Sequence, residues 1–99
     1  MKISEMQEQA HLTAKNKGWW EYIADPDAHI PVLLCLIHSE VSEALEDFRE
    51  NKMSTTIRED GKPEGLPSEL ADIVIRVGDM CGALGIDLEF EIRQKMAHN

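Results

Sequence analysis

Residues 30–48, IPVLLCLIHSEVSEALEDF, form the most apolar stretch of the chain, and they carry four acids. Apolar positions recur here at three- and four-residue spacing, the period of an amphipathic helix. Advancing 100° per residue places Leu33, Ile37, Val41, Ala44, Leu45 and Phe48 in one stripe. Glu40 borders that stripe, with Glu43 and Asp47 along the same flank, while Glu46 points away into solvent. Acids on a solvated face need no explanation, but acids at the margin of a buried face do.

The rest of the chain reads the same way. Ser4 with Gln7 fits a capping box, predicting a first helix to about Lys17, where Gly18 ends it. GWWEYIADPDAH reads as a loop. Pro31 suits a first helical turn, and a second helix runs to about Asn51. The polar stretch NKMSTTIREDGKPEG reads as a surface loop. Pro67 opens a third helix that ends near Leu84 ahead of Gly85, and Asp87 caps a fourth. No segment shows strand alternation. The expectation is an all-α, four-helix bundle-like single domain over residues 1–99.

The third helix repeats the pattern of the second. Leu66, Leu70, Ile73, Val74, Val77, Met80 and Leu84 form its stripe. Glu69 borders it, and Asp72, Arg76 and Asp79 continue along the flank. Two acid pairs at i, i+3, Glu40/Glu43 and Glu69/Asp72, would therefore face each other if the helices pack antiparallel. Four carboxylates in a poorly solvated cleft repel, and a divalent cation relieves the conflict. Oxygen ligands without His or Cys suit Mg²⁺, or Mn²⁺. On the far side of this helix, Ala71, Ile75, Gly78 and Gly82 allow close helix approach, which predicts a contact with another subunit.

A formal net charge of −9 argues against direct DNA or RNA binding. No apolar run is read as a membrane span and no export signal is read at the start, so a cytoplasmic protein is expected. Cys35 and Cys81 are read as buried thiols, and His11, His29 and His98 as surface residues.

The acid pairs in HSEVSEALED and SELADIVIRVGDMCGALGIDLEFEIRQKMAHN, with KNKGWW after the first helix, resemble the all-α nucleoside triphosphate pyrophosphohydrolases, the MazG-like and dimeric dUTPase superfamily. The resemblance covers most of residues 30–99 and is strongest to short single-domain members of phage or mobile-element type. It implies hydrolysis of a nucleoside triphosphate, often a deoxynucleotide, to the monophosphate and pyrophosphate, in pool sanitation or nucleotide metabolism. By this analogy Glu40, Glu43, Glu69 and Asp72 hold Mg²⁺, and Glu43 orients or deprotonates the attacking water. Lys95 and Asn99 match nucleotide-contacting positions, and Trp19 is the preferred base contact, since base stacking is worth about 1–3 kcal/mol in nucleic-acid binders. A homodimer or homotetramer is expected. A non-catalytic helical interaction module on the same fold, and a phosphoribosyl-ATP pyrophosphohydrolase, are the alternatives.

Overall fold

In the computed structural model, which describes residues 1–99, the chain is all-α with one small β-hairpin. Helix α1 spans Ile3–Asn16, α2 Ile30–Arg49, α3 Leu66–Leu84 and α4 Leu88–His98. A 3₁₀ turn, Asp27–His29, feeds directly into α2. It is set by an Asx turn in which the Asp27 amide donates to Asp25 Oδ1 at 3.1 Å. Pro31 sits in the first turn of α2, where its missing N–H costs nothing. Gly85 closes α3 in the left-handed conformation at φ 69°. The side chain of Asp87 caps α4 by accepting from the Phe90 amide at 3.1 Å.

Two local expectations are corrected. Ser4 does not cap α1, which starts at Ile3 with no side-chain cap. Gln7 instead ties α1 to the turn between α3 and α4, donating to Ile86 O at 2.6 Å and accepting from the Leu88 amide at 3.3 Å. The loop after α2 also contains strands: β1 (Thr56–Ile57) pairs antiparallel with β2 (Pro63–Glu64), in the register Thr56 to Glu64 and Ile57 to Pro63. Two residues per strand are too few for an alternation to be readable.

Helix α3 is central, with α1 packed on one side and α2 on the other, while α4 leans on α1. Gly78 and Gly82, expected at a subunit contact, lie under α1 of the same chain. A Cβ at Gly82 would meet His11 Cβ at 2.6 Å, and one at Gly78 would meet Met6 Sδ at 2.7 Å. Ala10 and Ala14 complete this close crossing from the α1 side. Small residues on both helices let the backbones approach, so no second chain is needed to explain them. Ala71 and Ile75, from the same predicted stripe, remain exposed.

The α2–α3 contact is turned relative to the expected stripes. Glu40 and Ala44 are the buried residues of α2, and Asp79 is buried on α3. Val41, Leu45 and Phe48 are half exposed or more, as are Leu70 and Val74. Part of each acid flank, Glu40 on α2 and Glu69 on α3, thus shares the inner face with Leu33, Ile37, Ala44, Ile73 and Val77 of the expected stripes. Cys81 is buried as expected, whereas Cys35 is exposed. The helix over residues 27–49 also contains an 18-residue window long and apolar enough, by length and composition alone, to cross a membrane. The sequence expectation that no run reaches that threshold is corrected accordingly.

Candidate functional site

The site is built where the inner flanks of α2 and α3 meet. Glu40 meets Arg76 and the field of Glu43 falls on Glu69, so rising numbers on α2 match falling numbers on α3. The helices therefore run antiparallel, as the acid-pair argument requires. Carboxylate oxygens of Glu40, Glu43 and Glu69 lie within 4.8 Å of one another, close enough to share one cation. Glu40 is buried, Glu69 half-buried and Glu43 exposed, so the cluster opens to solvent on the Glu43 side.

Asp72 is not part of that 4.8 Å group. It sits one turn along α3, half-buried, and acts on the cluster through its charge. Burial is the main force on Glu69, followed by the negative charges of Glu43 and Asp72. Together they push its carboxyl from the usual 4.5 up to about 7. Glu69 Oε2 is sealed from solvent and no N–H or hydroxyl donor reaches it, so the only hydrogen bond open to this carboxyl is a proton shared with Glu43, which helps to hold it up; Asp47 Oδ2, further down the α2 flank, is sealed and unpartnered as well. A sealed carboxylate oxygen without a donor is costly in a folded chain. It is the kind of atom a bound cation would satisfy, and the all-oxygen donor set fits a hard cation such as Mg²⁺ or Mn²⁺.

One cation is already built into the site. Arg76 Nε donates to Glu40 Oε1 at 2.8 Å, and the guanidinium lies 5.7 Å from the centre of the Trp19 ring. Only Nε of Arg76 takes part in this bond, which leaves its two Nη groups as donors toward a ligand. Arg76 is the functional residue that sequence reasoning placed on the right flank without giving it a role. Its spacing from Glu69, two turns along α3, was the available signal.

A second polar cluster adjoins the first. Asp79 is buried, and its Oδ1 accepts from Trp20 Nε1 at 2.9 Å and pairs with His11 Nδ1 at 2.9 Å. The Trp20 ring stands edge-on to His11 and to His29, at centroid distances of 5.5 and 6.1 Å. His11 and His29 are half-buried and locked into this cluster, so the expectation of surface residues is corrected for both. Their reach across three elements left no trace in linear spacing. His98 lies exposed, as expected.

Trp19 is half-exposed beside Trp20, and the two, with His29, Leu33, Leu36, Arg76 and Asp79, surround a cavity of about 240 Å³. The cavity shares Arg76 with the carboxylate cluster. Lys95, on the last turn of α4, and Asn99, just past its end, are exposed and line neither the cavity nor the cluster. Comparison with protein-family models, with curated proteins and with solved structures finds no match to this chain.

Proposed function

We propose that the chain is a Mg²⁺-dependent nucleoside triphosphate pyrophosphohydrolase that converts a (deoxy)nucleoside triphosphate to the monophosphate and pyrophosphate. The observation that carries this reading is a 4.8 Å group of three carboxylates, crowded enough to hold the sealed Glu69 carboxyl at about 7. Glu40, Glu43 and Glu69 would hold the ion, and Asp72 would add charge one turn away. A bound Mg²⁺ supplies charge neutralisation at phosphate oxygens and a more acidic bound water. Arg76 fixes the Glu40 carboxylate and offers its free Nη donors to a phosphate oxygen. Glu43, the solvent-facing acid of the three, would accept a proton from an attacking water. Phosphoryl chemistry asks mainly for such positioning and charge compensation.

The test is incubation with each standard NTP and dNTP plus Mg²⁺, with product analysis. Monophosphate and pyrophosphate support the proposal. Orthophosphate alone would assign a different cleavage, and no product from any nucleotide would end it.

Assembly is part of the same reading. The protomer exposes 7295 Å², against about 5,700 Å² for a compact monomer of 11.2 kDa. Its radius of gyration is 14.8 Å, where a compact domain of this length would have about 12.6 Å. The excess area, about 1,600 Å², is more than one partner contributes to a standard interface. Val41, Leu45 and Phe48 on α2, with Leu70 and Val74 on α3, supply the apolar surface for a homodimer or homotetramer. Lys95 and Asn99, which line neither the cavity nor the carboxylate group of their own protomer, would be supplied to a nucleotide by a neighbouring copy of the chain.

One observation favours a second reading. Glu40 is already neutralised by Arg76, so part of the acid flank is satisfied without a cation. A non-catalytic interaction module on this fold would use the remaining acids to pair with a partner's Lys and Arg. Calorimetric titration with Mg²⁺ and a non-hydrolysable nucleotide separates the two, because the module would show no binding heat.

A further inference from the structure

We propose that the cavity between Trp19, Trp20, Leu33 and Leu36 is a nucleobase pocket selecting bases that carry an exocyclic amino group, with Asp79 as the specificity-determining acceptor. This rests on the nucleotide reading above and names the substrate class of that site. The cavity, about 240 Å³, is walled by two indoles and two leucines, the lining that flat aromatic ligands favour. Its polar side chains are Arg76, Asp79 and His29, and the His29 ring packs edge-on against Trp20. Arg76 stands on the side shared with the carboxylate cluster, so phosphates would lie that way and the base would point inward.

Asp79 decides which base fits. The residue is nine-tenths buried, and both of its hydrogen bonds, from Trp20 Nε1 and with His11 Nδ1, fall on Oδ1. Oδ1 is therefore saturated and the carboxylate cannot rotate without losing two bonds. Oδ2 takes no hydrogen bond and belongs to a residue that lines the cavity. An ionised carboxylate oxygen can only accept. Cytosine and adenine present an amino group, and guanine presents one beside a ring N–H. Thymine and uracil place the O4 carbonyl where cytosine has its amino group, and two acceptors facing each other across buried Asp79 are penalised.

The chain contains two tryptophans and both line this cavity, so intrinsic fluorescence reads its occupancy directly. Titration with nucleoside monophosphates, without divalent metal, measures base binding independently of hydrolysis. The decisive pair is 5-methyl-dCMP against dTMP, which share the methyl group and differ at the 4-position and its neighbouring ring nitrogen. The amino form should bind at least tenfold more tightly, and equal affinities, or no quenching by any monophosphate, would overturn the proposal. Asp79→Asn should invert the preference, because Trp20 and His11 keep the amide oxygen on their side and turn an NH₂ donor to the cavity. If that variant does not fold, the wild-type pair alone still decides. Tight binding of amino-bearing monophosphates without any triphosphate hydrolysis would leave this pocket standing while removing the proposed reaction.

Discussion

Replacing Glu69 by Gln tests the electrostatics of the site most directly. In the folded chain this carboxyl is held at about 7 against its usual 4.5. Between those values the native state keeps a proton that the unfolded chain releases. The favourable contribution is therefore complete below the unfolded value and is lost as pH rises through 7. At about 1.36 kcal/mol per unit, the full shift corresponds to roughly 3 kcal/mol. Glu69 is only half-buried, and solvent screening reduces this to about 1–2 kcal/mol.

The Gln variant removes the titrating charge and offers an amide N–H₂ toward Glu43. At pH 8 without divalent metal it should be more stable than the wild type by about 1–2 kcal/mol. At about 4–8 °C per kcal/mol, that raises Tm by roughly 4–16 °C. The advantage should shrink toward pH 5, because titrations shared by both proteins cancel. Thermal melts followed by far-UV circular dichroism over pH 5–9 provide the measurement. Mg²⁺ should reverse the order at pH 8, since a ligand that binds only the folded wild type stabilises it by mass action. A pH-independent difference, or a variant no more stable than wild type at pH 8, would refute the charge crowding on which the site assignment depends.

Four further outcomes are expected. Glu43→Ala should abolish nucleotide hydrolysis and Asp72→Ala should lower it, both with helical content unchanged by circular dichroism, and full activity in both would remove the assigned carboxylates. Arg76→Ala leaves Glu40 buried beside Glu43 and Glu69 with no cation, so apo stability at pH 8 should fall by about 1–3 kcal/mol, read by denaturant midpoint. Gly82→Ala drives a Cβ into His11 Cβ and should cost about 1–3 kcal/mol by overpacking, read by thermal melting, with Trp20 emission shifting as the Asp79 cluster loosens. Light scattering at micromolar concentration should give a dimer or tetramer mass, Phe48→Glu should lower it, and a monomer mass for the wild type would contradict the proposed assembly.

Helix periodicity and end signals made the four helices legible, because Pro31, Gly85 and Asp87 each act through local backbone geometry. The acid pairs were legible for the same reason, since spacing at i, i+3 fixes a common face whatever lies opposite. What lay opposite was not legible. Gln7 sits where a capping box is expected but bonds 79 and 81 positions downstream. His11 and Trp20 find Asp79 across gaps of 68 and 59 residues. Gly78 and Gly82 announced a close helix approach correctly, but nothing in a single chain's sequence says whether the approaching helix is its own.

The orientation of α2 gives these observations a common cause. A soluble monomer turns its apolar stripe inward and its acids outward. Here Glu40 is buried and an oxygen of Asp47 is sealed, while Val41, Leu45 and Phe48 face outward. That arrangement costs the isolated protomer twice, in crowded charge and in exposed hydrocarbon. Both costs fall if a cation enters between α2 and α3 and a second copy covers the outer stripe. The two events should then be coupled, because each favours the same seating of α2. Mg²⁺ should shift the subunit equilibrium toward the larger species, and Glu69→Gln should abolish that response while leaving metal-free association intact. Sedimentation velocity with and without Mg²⁺ measures both, and an assembly insensitive to the metal in wild type would show that the two faces of α2 act independently.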